Sequence, residues 1–178
     1  MIEENFGVLV DGNAEVDFEG FIKAIDVIGT IDIELNQAEA DYLNKGNAKW
    51  NLVAGMNQLD GEQALSYART RYVGHSDWER TDRQRRVIMA TFDKVKGANI
   101  AEFMKLADRI LPMITTDMTN AEILGYVWTV GTMGINGMES YRLPVEGTYQ
   151  EATLRKGMEV LVPNLEENRA YLKKYIYE

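Results

Sequence analysis

Six of the chain's ten arginines, Arg69, Arg71, Arg80, Arg83, Arg85 and Arg86, fall in one short segment that contains no lysine. Lysine would keep such a segment soluble equally well. Arginine alone points to planar, two-pronged recognition of a phosphate or a carboxylate. Asp77, Glu79 and Asp82 offset half of the charge, so the segment is a mixed surface carrying specific cations.

Spacing orders these cations. Arg80 and Gln84 are four apart and Arg80 and Arg83 three apart, so all three share a helical face. Val87 and Ile88 continue near that face towards a core, which predicts that the face turns inward. Arg69 and Arg71 are two apart, which puts them on one side of an extended segment but on opposite sides of a helix. The helix begun at Asp60 is therefore expected to end near Ala68. Arg69-Thr70-Arg71 is expected to be extended, with both guanidinium groups reaching one anion beside Arg80. The competing reading is a solvated helix laced with acid partners, for which Glu79, Asp82 and Asp93 are available. That reading is favoured for Arg85 and Arg86. For Arg69, Arg71, Arg80 and Gln84 the residues alone leave both open. Asp77 is a helix cap or an orienting partner for an arginine. His75, the only histidine, reads as a loop residue rather than a general base.

The elements that must carry these residues alternate in type. Phe6–Val10 reads as a strand, and Asp17 caps a helix that runs to Ile28 with Phe18, Phe21, Ile22 and Ile25 on one apolar face. Phe18, Phe21, Ile25, Ile88 and Phe92 read as core before they read as a lipid pocket. Ile31–Leu35 alternates apolar and polar residues as a half-buried strand does. A short helix near Gln37–Leu43 follows. Asp60 and Gln63 have capping-box spacing at the head of the arginine region. Further helices are expected at Trp78–Lys96, Ile100–Leu111, Asn120–Val130 and Asn164–Tyr175, with strands near Ser140–Val145 and Met158–Val162. Strands interleaved with helices make an α/β fold, with a mixed central sheet covered by helices on both faces. No domain boundary is evident, and residues 1–178 read as one domain.

Composition narrows the classes. Of 178 residues 46% are hydrophobic and 26% charged, enough for one globular domain with a sizeable core. The formal net charge of −9 opposes a protein that coats nucleic acid or an anionic membrane through its overall field. The absence of cysteine excludes disulfides and thiolate metal sites. No run approaches the roughly 18 apolar residues that span a bilayer. The opening Met1-Ile2-Glu3-Glu4-Asn5 has neither the basic start nor the apolar run of a secretory signal. The chain as given is expected to be soluble.

Two blocks resemble a known family. Leu59-Asp60-Gly61-Glu62-Gln63-Ala64-Leu65-Ser66-Tyr67-Ala68-Arg69-Thr70-Arg71, then Asp77-Trp78-Glu79-Arg80-Thr81-Asp82-Arg83-Gln84, are similar to the signature of the LytR–CpsA–Psr family. That signature reads L-[DN]-G-x-x-A-L-x-Y-x-R-x-R, a variable loop, then D-[FW]-x-R-x-x-R-Q. Upstream, Val16-Asp17-Phe18-Glu19-Gly20-Phe21 through Ile25-Asp26 and Gly29 resembles the family's V-D-F-x-G-F…D-x-x-G-G segment, with Thr30 where a second glycine is usual. The resemblance runs from about Asn5 to the end.

It implies an α-β-α sandwich and a membrane-anchored enzyme facing the outside of a bacterial cell. Such an enzyme transfers a glycopolymer, such as wall teichoic acid or capsular polysaccharide, from undecaprenyl pyrophosphate to peptidoglycan by phosphoryl transfer. On that likeness Arg69 and Arg71 are the catalytic pair on the pyrophosphate, Arg80 and Gln84 bind the same group, and Asp77 and Arg83 support the site. The family domain normally begins before the equivalent of Asn5. The front portion carries the aspartates that place Mg²⁺, a further arginine, extra strands and the membrane segment. No metal ligand is identifiable in this chain, and Asp11, Asp17, Asp26 and Asp32 read as turn, cap or strand-surface residues. Two other functions stay in view: a non-catalytic binder of pyrophosphate lipids and, against the charge balance, a nucleic-acid-binding regulator.

Overall fold

The computed structural model describes residues 2–73, 77–133, 137–155 and 157–177, apart from the side chains of Asp77 and Tyr177. The expectation for His75 falls outside the described residues. In chain order the elements are α1 (Ile2–Phe6), β1 (Ala14–Val16), α2 (Phe18–Ile28), β2 (Ile31–Leu35), α3 (Gln37–Gly46), β3 (Gly55–Leu59) and α4 (Gly61–Arg69). They continue with α5 (Asp77–Val95), α6 (Ile100–Ile110), a 3-10 turn at Leu111–Met113, β4 (Ile114–Thr116), α7 (Asn120–Thr132), β5 (Tyr149–Leu154), β6 (Met158–Pro163) and α8 (Leu165–Tyr177). The class is α/β. Among the described residues the strands pair as three separate antiparallel ladders, β1 with β4, β2 with β3 and β5 with β6, rather than as neighbours in one mixed sheet.

The chain divides into two compact units, one of residues 14–138 and one of residues 1–13 with 139–178. In the first, the helices start where a side chain meets the amide protons that an opening turn leaves unpaired. Asp17 takes the Gly20 amide at 2.7 Å. Asn36 with Glu39, Asp60 with Gln63, Asn99 with Glu102 and Thr119 with Glu122 form reciprocal capping boxes. Along β2 the alternation is realised: Ile31, Ile33 and Leu35 are buried while Asp32 and Glu34 face outward. The ladder runs from Ile31 opposite Leu59 to Leu35 opposite Gly55. Against it lies a core of Ile25, Ala40, Leu43, Leu52, Ala64, Tyr67, Ala68 and Val87, drawn from α2, α3, α4, α5 and the Leu52 loop.

The close packing of α2 on α4 has a visible cause. A Cβ on Gly61 would stand 2.3 Å from the Ile22 carbonyl oxygen, so only glycine admits this approach. The Asp26 carboxylate uses the proximity to accept the Gly61 amide at 2.9 Å, tying the two helices at the head of α4.

The second unit pairs α1 with α8 beside the β5–β6 hairpin. Arg169 of α8 donates to the carbonyls of Asn5 and Glu4 at 2.7 and 2.8 Å, closing the open end of α1. Asn168, fully buried, donates to the Thr148 hydroxyl and the Asn164 carbonyl and accepts the Val145 amide. These bonds account for two departures from expectation. Residues 140–145 form no strand, because Pro144 has no amide to give a ladder and Asn168 holds the Val145 amide instead. Phe6–Val10 forms no strand either: Phe6 ends a helix whose Glu3 carbonyl takes the Gly7 amide, and Leu9 and Val10 stay exposed.

Gly61→Ala is expected to destabilise the first unit by about 1 to 3 kcal/mol, because the added methyl forces α2 off α4. Urea unfolding of the variant beside the wild type checks this.

Candidate functional site

The arginine region lies in the unit of residues 14–138. Helix α4 runs one residue further than the spacing predicts, so Arg69 is its last helical residue. The Thr70 hydroxyl bonds back to the Ser66 carbonyl at 2.9 Å and carries the helix to that point. Thr70 itself is extended, with φ −61° and ψ 123°, and buried. Arg69 and Arg71 therefore leave the backbone from unlike conformations, not from one side of a strand. The Arg69 guanidinium stacks over the Phe18 ring, 4.2 Å from its centroid. It also lines a cleft of about 510 Å³ with Tyr42, Lys45, Trp50, Leu65 and Thr70. Arg71 is exposed. The next residue, Tyr72, brings its ring within 6.3 Å of Tyr42, which sets this stretch alongside α3 at the edge of the same cleft.

Arg83 is the most enclosed of the arginines, 4% exposed. Its Nε donates to Glu39 Oε1 at 2.8 Å, Nη1 donates to the Thr70 carbonyl at 3.0 Å, and Nη2 donates to the Val73 carbonyl. Glu39 Oε2 accepts the Asn36 amide at 3.1 Å, and Glu39 is itself 3% exposed. The fork of Arg83 thus faces protein on every donor nitrogen and binds the backbone on either side of Arg71.

The expected inward face of Arg80, Arg83 and Gln84 does not form as a unit. The buried stripe of α5 follows Arg83 and Val87; Arg80 is half-buried, and Gln84 and Ile88 are exposed. At 100° per residue, Gln84 stands a quarter turn past the stripe that Arg83 occupies. Asp77 opens α5, and its side chain falls outside the described residues. Arg85 pairs with Asp82 at 3.4 Å on the solvated side, as expected. Arg86 is exposed as that reading requires, but its partner is a hydroxyl rather than an acid. Its Nη1 donates to the Tyr67 hydroxyl at 3.0 Å and it lines a larger groove of about 890 Å³ between β2 and α5. Four carboxylates, Asp32, Glu34, Glu39 and Asp93, face Arg86 and Lys94 there, a balance that disfavours an anionic ligand.

Residues 1–174 match the model of the LytR_cpsA_psr family. The chain belongs to the LytR–CpsA–Psr family. Among curated proteins it is similar to "Regulatory protein MsrR" of Staphylococcus aureus (strain COL), 27% identical over 179 residues that cover 99% of this chain and 54% of that protein. It is also similar to "Polyisoprenyl-teichoic acid--peptidoglycan teichoic acid transferase TagV" of Bacillus subtilis (strain 168), 27% identical over 194 residues, 97% of this chain and 45% of that protein. The crystal structure of B. subtilis TagV superposes with a TM-score of 0.73 at 24% identity, covering 98% of this chain and 67% of that one. A structure described as "TagT bound to LI-WTA" does so with 0.73 at 23%, covering 97% and 63%. Both likenesses show the fold. The chain spans about half the length of the curated relatives it matches.

The family resemblance implies Mg²⁺, which needs several carboxylate oxygens brought together. Among the described residues no three of His, Cys, Asp or Glu come together as a metal would require. The carboxylates described do not make that seat. No helix among the described residues is long and apolar enough to cross a membrane.

Two residues of this family member escaped the reading of spacing. Glu39 hid as the last member of an Asn36-x-x-Glu39 capping box, a signal that was present but explains only one of its two oxygens. Tyr67 stands in the first block with no role assigned from spacing, and it is fully buried while its hydroxyl accepts from Arg86. Burial raises the Tyr67 pKa above the ordinary 10.0, Glu39 adds to the rise, and the Arg86 bond partly offsets it. The unfolded chain therefore gives up this proton more readily than the folded one. Tyr67's contribution is whole below pH 10 and fades as pH climbs through its raised folded value. Urea midpoints measured from pH 8 to pH 12 (roughly spanning tyrosine ionisation) should fall more shallowly in Tyr67→Phe than in the wild type.

Proposed function

We propose that this chain forms the diphosphate-gripping portion of an enzyme that moves a polyprenyl-linked glycopolymer onto peptidoglycan outside the cell membrane. Family membership supports the class of reaction, and the activity for which the relative TagV is named supports the donor and acceptor. The observation that carries the reading is the cleft beside Arg69. It offers Arg69 and Lys45 as cations and Tyr42, Leu43, Trp50 and Leu65 as apolar wall, with Arg71 on the adjoining stretch. An anionic head joined to a greasy chain needs that combination. Arg69 and Arg71 are the proposed catalytic contacts, and Arg80 and Gln84 on α5 are proposed to bind the same group. Asp77 at the start of α5 and Arg83 are the proposed supports. Among the described residues the Arg83 fork is spent on Glu39 and the backbone, so its part is indirect.

In the reaction the acceptor hydroxyl oxygen forms a bond to the phosphorus that bears the polymer. The bridging P–O bond breaks, polyprenyl phosphate leaves, and the hydroxyl proton is released. Little covalent work falls to the protein, so positioning and charge stabilisation set the rate. Guanidinium groups held at the leaving phosphate offset the charge that builds there, each contact being worth about 2 to 4 kcal/mol in the transition state.

Farnesyl pyrophosphate serves as a soluble probe. Arg69→Ala and Arg71→Ala are each expected to leave the fold intact by circular dichroism and to remove detectable binding by calorimetry. Unchanged affinity in either variant contradicts the assignment. The relative named as a regulatory protein invites a second comparison. Binding to duplex DNA that falls steeply with salt, in place of prenyl diphosphate binding, favours the regulator reading.

A further inference from the structure

We propose that Glu39 is a positioning residue of the arginine site. Its carboxylate holds Arg83 from α3, and Arg83 in turn pins the backbone that presents Arg71. The inference rests on the diphosphate reading for its consequence in binding, whereas the clamp itself is a matter of geometry.

Arg83 has its donor nitrogens committed to acceptors on two separate stretches of chain. Nε meets Glu39, while Nη1 and Nη2 meet the carbonyls of Thr70 and Val73. These carbonyls bracket Arg71, so an exposed cation sits on a backbone tied down on both sides. Glu39 is fixed in its own right, one oxygen on Arg83 and the other on the Asn36 amide. Side chains of the pair are 5% and 3% exposed. A guanidinium this enclosed needs its counter-charge. Without the carboxylate, Arg83 is driven towards water and both carbonyls lose their donor. Arg71 then samples many positions, and an anion must restore the order that Glu39 had supplied in advance.

Glu39→Gln separates this role from helix capping. Glutamine keeps the length and an oxygen for the Asn36 amide but removes the charge that holds Arg83. Arg83→Lys keeps the charge but loses the three-way fork. Asn36→Ala removes the other half of the capping box and leaves the pair intact. Trypsin reports directly on the clamped stretch, because Arg71–Tyr72 is a cleavable bond on an exposed residue.

Below the unfolding temperature of each variant, cleavage after Arg71 is expected to quicken at least tenfold in Glu39→Gln and in Arg83→Lys. In Asn36→Ala it should stay at the wild-type rate. The farnesyl pyrophosphate dissociation constant should rise at least tenfold in the first two and not in the third. Should Glu39→Gln fail to fold, Arg83→Lys carries both measurements. Unchanged cleavage in the clamp variants, or equal acceleration in Asn36→Ala, overturns the proposal. Faster cleavage with unchanged affinity also overturns it, since Glu39 is then structural only. If the wild type itself ignores farnesyl pyrophosphate, the diphosphate reading fails, and the cleavage rates still decide whether the clamp exists.

Discussion

A carboxylate and a guanidinium taken out of water together lose several kcal/mol of hydration each, and only tight geometry with further hydrogen bonds returns it. The Glu39–Arg83 pair meets that condition, since both carboxylate oxygens and the guanidinium donors end on protein. Removing one partner of such a pair commonly costs about 3 to 5 kcal/mol, whereas a well-packed apolar replacement of both is often neutral. The pair is therefore poorly explained as a source of stability. What it supplies is a fixed location for residues 70–73, which follow α4.

From that anchor the arginines divide their labour. Arg83 faces inward and organises backbone. Arg86 finds the Tyr67 hydroxyl and braces α5 against α4. Arg85 stays on the solvated side with Asp82. Arg69 leans on Phe18 at the mouth of a cleft with mixed apolar and cationic walls, and Arg71 remains exposed on a stretch pinned from within. The site also depends on the seating of α4, which Gly61 and Asp26 fix against α2. Capping, helix packing and the buried pair act in series on the position of two guanidinium groups.

Much of this was legible in the residues, and the exceptions share a physical cause. Local signals worked: Asp17, Asp60 with Gln63, and Asn164 mark helix starts, and the Ile31–Leu35 alternation marks a strand. β3 was missed because Asn57 and Gln58 give it no apolar alternation, and its pairing with β2 makes it a strand. Residues 6–10 and 140–145 carry apolar runs without a neighbouring edge to join, so tertiary hydrogen bonds outranked local preference. At the site, arginine type pointed to an anion, and the order of the two blocks pointed to the family. Helical spacing grouped Arg80, Arg83 and Gln84 on one face, but only Arg83 lies on the buried stripe. The acid that meets Arg83 lies 44 residues away on α3, beyond any periodicity.

On the proposed reading, Glu39 holds Arg83 within the protein so that Arg69 and Arg71 can take up a diphosphate. A crystal structure of the chain soaked with farnesyl pyrophosphate tests it most directly. It should show diphosphate oxygens within hydrogen-bond distance of Arg69 and Arg71, the prenyl chain against Tyr42 and Trp50, and Arg83 still on Glu39 and the Thr70 carbonyl. A diphosphate held by Arg83 turned away from Glu39, or seated in the groove of Asp32 and Glu34, would contradict it.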